Sequence, residues 1–262
     1  MLDTVNHLRR GIYQLPPKYP GKDTAIKLID ATCHYLNSHS ATNIYQREWD
    51  VLILLDCARV DMLESLTDEF PFIHPVGTHH TPGTDSAEWM ETTFVSKYED
   101  DIKNTVYITA NPNSENHLSE NIFERLEEVW RYSWDDDHGT VLPRSVTDQA
   151  ITISRDFNPE KMIIHYMQPH PPFIPRPEID AARNTASNKE TAGMNLKSLH
   201  QEAGYSLDEL WEAHMENLNY VLKDIQDVLL TNLNADKVVI SADHGQAFGE
   251  QNVFGHPRSI AD

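Results

Sequence analysis

Cysteine is nearly absent: Cys33 and Cys57 are the only two in 262 residues, too few for a disulfide framework or a cysteine-rich metal centre. Both read as reduced thiols. Long apolar runs are missing as well, since no uninterrupted stretch approaches the ~20 residues of a membrane-spanning helix. Met1 to Gly11 carries charges at Asp3, Arg9 and Arg10 with no apolar segment behind them, which argues against a secretory leader. A soluble, cytoplasmic protein without a transmembrane segment is the expectation. Basic residues are scarce, 21 Lys and Arg against 41 Asp and Glu, for a formal charge of -20. A field of that sign repels phosphate backbones and anionic headgroups, so no nucleic-acid partner is expected. It also suits a halophilic chain kept soluble in concentrated salt, although ordinary acidic proteins share the trait. No Gly-x-Ser-x-Gly elbow occurs, which speaks against an α/β-hydrolase esterase. There are no internal repeats or low-complexity tracts.

What is present is a 39% hydrophobic composition, enough for one full core. Residues 1–49 read as an arm (Tyr13 to Pro20, with three prolines) and a helix over Thr24 to Asn37, packing on a main domain at 50–262. Asp50-Val51-Leu52-Ile53-Leu54-Leu55-Asp56 is a continuous apolar run between two acids, the pattern of a parallel strand buried on both faces. Similar runs recur at Thr105 to Ala110, Lys161 to Met167 and Lys237 to Ala242. Between them, helical spacing appears at Asp61 to Leu66, Ser86 to Tyr98, Ser119 to Tyr132, Ser145 to Arg155 and Ser206 to Leu230. The alternation predicts an α/β three-layer sandwich with a mostly parallel central sheet and helices on both faces. Arg176 to Leu199 has no strong period and reads as a surface loop or lid.

In open parallel sheets, ligands bind beyond the carboxyl ends of the strands. That rule selects Asp56, the segment His165 to His170, and the pair Asp243-His244. An adjacent Asp and His can hold one cation through an oxygen and an imidazole, while Gly245 lets the chain turn beside them; a capped turn with a solvated His fits the same tripeptide. Asp56 needs a positive partner at the end of an apolar strand, and either a cation or Arg59 satisfies it. In Pro82-Gly83-Thr84-Asp85-Ser86-Ala87-Glu88-Trp89, a hydroxyl at a helix start is stabilised as an alkoxide by the helix dipole, or simply caps the helix. His165 and His170 can each be a packed ring or a group facing a substrate, and His170 fits the packed ring less well than His165.

Taken together, the strand-end acid of VLILLDCARVD, the hydroxyl of GTDSAEW, the histidine of MQPHPPF and SADHGQAFGE with its trailing FGHP resemble the alkaline phosphatase superfamily. The likeness is to its sulfatase-like branch, which includes lipoteichoic acid synthase and the phosphoethanolamine transferases. The motifs run in family order from Val51 to Pro257, nearly four fifths of the chain. The resemblance implies an alkaline phosphatase-like fold and one divalent cation, Mn²⁺ or Zn²⁺ with Ca²⁺ or Mg²⁺ as further candidates. Asp56, Thr84, Asp243 and His244 are the implied ligands. Thr84 takes the nucleophile's place with Ser86 in reserve, and His170 and His256 meet the ester oxygens or the leaving group. Arg59, His165 and Ser86 are the implied substrate contacts. Tyr166 stands where two-metal relatives carry an aspartate, which argues for a single ion. The expected activity is hydrolysis or transfer of a phosphate or sulfate ester on a small molecule, glycan or lipid.

Two features depart from that pattern. Cys57-Ala58-Arg59 lacks the Cys-x-Pro-x-Arg spacing that sulfatases convert to formylglycine, and only five residues follow Pro257 where the family continues. A minimal or C-terminally truncated member is therefore expected. A noncatalytic relative with a binding or scaffold role is the alternative.

Overall fold

The computed structural model describes residues 41–73, 75–180, 196–250 and 253–256, together with Gly21 and Thr24. The arm and helix expected before residue 41, most of the expected lid, Cys33 and Pro257 lie outside the described residues. Five strands form one parallel sheet in the order β3-β2-β6-β1-β7: β1 (Val51–Leu55), β2 (Thr105–Thr109), β3 (Arg125–Glu128), β6 (Lys161–Tyr166) and β7 (Val238–Ser241). Two small antiparallel pairs complete the strands, β4 (Trp134–Asp135) with β5 (Thr140–Val141) and β8 (Ala247–Phe248) with β9 (Phe254–Gly255).

The helices that matter for the site are α1 (Val60–Ser65), α2 (Ser86–Thr93), α3 (Pro143–Phe157) and α4 (Leu207–Asp224), the last running on into a π-turn at Ile225–Leu229. All five side chains of β1 are buried, as a strand flanked by parallel neighbours requires. Alternation sends Val51, Ile53 and Leu55 to one core with α3 and α4, and Leu52 and Leu54 to a second core with α2, Tyr107 and Trp49. Each fully buried aliphatic chain contributes roughly 1.5–3 kcal/mol, so the central strand is the best-anchored element available.

Two expectations are corrected. Ser119 to Tyr132 is not a helix: it contains the edge strand β3, whose Arg-Leu-Glu-Glu sequence is half-buried and carries no apolar run to betray it. The helix from Ser86 stops at Thr93 instead of Tyr98, and a 3₁₀ turn follows at Ser96–Tyr98.

Strand register sets the site. Leu54 pairs with both His165 on β6 and Ser241 on β7, so Asp56 and Asp243, each two residues farther on, leave adjacent strand ends side by side. The chain runs from β1 across to β2 and later returns from β6 to β7 on the other side of β1, which makes the β1–β6 edge a point where strand order reverses and a crevice opens.

Candidate metal centre

Asp56 follows β1 directly and is 1% exposed. Its Oδ2 accepts from Asn111 Nδ2 at 2.9 Å and from Ser86 Oγ at 3.3 Å, while its buried Oδ1 has no hydrogen-bond partner and lies 3.4 Å from His244 Nε2. Asp243 is equally enclosed. Its Oδ1 accepts from the His244 backbone N–H at 2.9 Å, leaving Oδ2 without a hydrogen bond, 3.4 Å from His244 Nε2 and 3.5 Å from His165 Nε2. Thr81 Oγ1 donates to the Asp243 carbonyl and steadies the turn.

His244 Nδ1 lies 3.1 Å from the Gly245 carbonyl, which can only accept, so Nδ1 carries a proton and Nε2 is the ring atom that faces the acids. Ser86 Oγ stands 3.2 Å from that Nε2. Burial alone would lower the His244 imidazole, but Asp243 and Asp56 outweigh it and hold the ring above its ordinary value. Burial alone would raise Asp243, and here His244, His165 and Ser86 together pull the carboxyl below the usual range. Two acids and one imidazole thus sit in a buried cleft with more negative than positive charge, an arrangement stabilised by a cation.

The hydroxyl of Ser86 reaches the acids because of how α2 begins. Asp85 caps the helix by accepting from Glu88 N at 2.7 Å, and Glu88 Oε2 reaches back to both the N–H and the hydroxyl of Thr84, each at 2.7 Å. Gly83 is essential to this turn, since a Cβ there would lie 2.3 Å from Trp89 N. Ser86 is therefore the hydroxyl that meets Asp56 and His244, while the Thr84 hydroxyl is directed to Glu88.

The structure brings His170 and His256 together above this cluster. β8 and β9 fold back so that the His256 ring lies over His244 at 4.4 Å between centroids, with His256 Nε2 3.4 Å from His170 Nε2. Burial and the neighbouring His244 and His170 charges push His256 down to about 4. The loop bearing His170 is held by Asn217 of α4, whose Nδ2 faces the carbonyls of Pro169, His170 and Pro172 at 3.1, 3.2 and 3.1 Å.

Arg59 is turned away from the acids. It grips Asp61 with two bonds of 3.0 and 2.7 Å, Glu250 at 2.6 Å and the Gln246 carbonyl at 3.0 Å, tying the turn after β1 to the loop after β7. Tyr166 points to the opposite face, where its hydroxyl meets Thr147 Oγ1 at 2.8 Å. Cys57, in the left-handed region at φ 68, places Sγ 3.7 Å from His244 Nδ1. Burial, Asp56 and Asp243 raise its thiol well above the ordinary value.

Two groups have the spacing to hold a metal among the described residues: Asp56, His165 and Asp243, all buried, and Cys57, His244 and His256. Asn111, Tyr107, Thr81 and Asn217 were not selected by the sequence. Asn111 lies just past β2 and satisfies the same strand-end rule as Asp56; an amide simply gives no metal signal. Comparison of the chain with protein-family models, curated proteins and solved structures finds no match.

Proposed function

We propose that this chain is a metal-dependent hydrolase or transferase of phosphate or sulfate esters, related in fold and chemistry to the sulfatase-like branch of the alkaline phosphatase superfamily. One observation carries the reading: Asp56 Oδ1, Asp243 Oδ2, His244 Nε2 and Ser86 Oγ converge in a buried cleft in which two of the carboxylate oxygens have no hydrogen-bond partner. These four side chains would hold one divalent cation, and an oxygen-rich set with one imidazole suits Mn²⁺ or Zn²⁺. When bound, the cation supplies Lewis-acid neutralisation of charge on the ester and lowers the pKa of the Ser86 hydroxyl.

The protein's own groups do the rest. Ser86 Oγ, at the first turn of α2 and with its proton released to solvent, attacks phosphorus or sulfur; the new bond is Ser86 O–P (or O–S), and the bond to the leaving alkoxide breaks. His170 Nδ1, 2.6 Å from the Pro171 carbonyl, must carry a proton there, so His256 Nε2–H donates to His170 Nε2. On ester binding that N–H can turn to the leaving oxygen as a hydrogen-bond donor, while the leaving alkoxide takes its proton from solvent, balancing the one Ser86 gives up. Water, or an acceptor alcohol in a transferase, then releases the group from Ser86 and restores the hydroxyl.

The test is turnover of aryl phosphomonoesters, phosphodiesters and sulfates with Mn²⁺ or Zn²⁺ added, by wild type and Ser86→Ala. Activity confined to the wild type supports the reading. Metal binding without turnover of any of the three classes leaves the binding role in its place.

A further inference from the structure

His165 is 0% exposed and sits beneath the acids, on the face of β6 shared with Leu54 and Tyr107. Its Nε2 has no hydrogen-bond partner and lies 3.5 Å from Asp243 Oδ2, itself without one; Asp56 Oδ1 is the third such atom. All three lie within 4.8 Å of one another. An imidazole nitrogen left unpaired in a fully buried site is costly, and three such atoms from three strand ends pointing at one volume are poorly explained as packing. On the other side of the ring, Nδ1 is 2.8 Å from Tyr107 OH, and the two rings stack with an interplanar angle of 13°. Trp89 closes the remaining side edge-on, at 6.0 Å between centroids. Tyr107, Trp89 and the acids thus enclose the ring.

We infer that His165 is an inner ligand of the cation through Nε2, with Tyr107 as a positioning residue whose oxygen accepts a hydrogen bond from Nδ1–H and so favours the tautomer that leaves Nε2 free. The inference rests on the proposed metal site and adds a second imidazole to its ligands. A hydrogen-bonded partner behind a ligating histidine orients the ring and raises its basicity, and its loss weakens metal binding by roughly 10–100-fold.

Pulsed EPR of the full-length protein loaded with Mn²⁺ alone tests this without any mutation, by counting directly bound imidazole nitrogens. Two, from His165 and His244, are expected. One in the wild type overturns the inference while leaving the metal site standing; no binding of Mn²⁺, or of Co²⁺ in parallel, removes the site itself. Tyr107→Phe keeps the ring and should weaken Mn²⁺ binding about 10–100-fold with two nitrogens retained. His165→Ala should weaken it further and leave one nitrogen. Unchanged affinity in both variants, each checked as folded by near-ultraviolet circular dichroism, also overturns the inference.

Discussion

Ser86 Oγ lies 3.2 Å from His244 Nε2, whereas the hydroxyl of Thr84, two residues earlier, donates to Glu88 at 2.7 Å. The two hydroxyls of one turn therefore have separable jobs. Ser86→Ala should remove turnover by several orders of magnitude with little change in thermal midpoint. Thr84→Ala should keep most activity and cost about 1 kcal/mol, the worth of a helix-capping contact. Steady-state kinetics paired with chemical denaturation of both variants checks this; the opposite pattern would make Thr84 the nucleophile.

Gly83→Ala tests how tightly the turn is specified. A methyl 2.3 Å from Trp89 N meets backbone and must displace the start of α2. Expected are a loss of more than about 2 kcal/mol, in the range of severe overpacking, and a parallel fall in kcat as Ser86 moves. A stable, fully active variant would show that the turn has slack.

How the site can be read from sequence divides cleanly by residue type. Asp56, Asp243 and His244 follow apolar runs at the ends of β1 and β7, so strand pattern and ligand chemistry point to the same place. Which of Thr84 and Ser86 meets the acids depends on one helical turn, in which Glu88 engages the Thr84 hydroxyl and Ser86 faces Asp56; spacing alone does not contain that. Arg59, a substrate contact by the resemblance alone, pairs with Asp61 and Glu250. β3 escaped notice because an edge strand of four half-buried residues needs no apolar run.

Asn217→Ala should loosen the His170 loop. Its two amide N–H groups face three carbonyls from a fully buried position; two lost hydrogen bonds at about 1–3 kcal/mol each give a total loss of roughly 2–6 kcal/mol. Because His170 is the group displaced, kcat should fall more than metal affinity. Equal losses in both would point to general unfolding of the sheet edge.

Acid sensitivity should trace to His214 on α4. Burial, with the His170 charge nearby, lowers its imidazole from 6.5 to about 3. A depressed imidazole binds its proton in the unfolded chain first, so stability is full above about pH 6.5 and is lost as pH falls toward 3, by at most roughly 4–5 kcal/mol. His214→Phe should flatten the metal-free stability profile between pH 6.5 and 3; an unchanged slope would assign the effect elsewhere, with His256 the next group to examine.

Cation binding by the metal-free protein, measured by titration calorimetry with Mn²⁺ and Zn²⁺ on the wild type and on Asp243→Asn, bears on the whole mechanism at once. One ion per chain, binding lost in the folded Asp243→Asn variant, is the expected result. A wild type that releases no heat with either ion, and gains no thermal stability at a large excess of metal, would mean that the buried acids are balanced by protons and that the proposed chemistry does not occur.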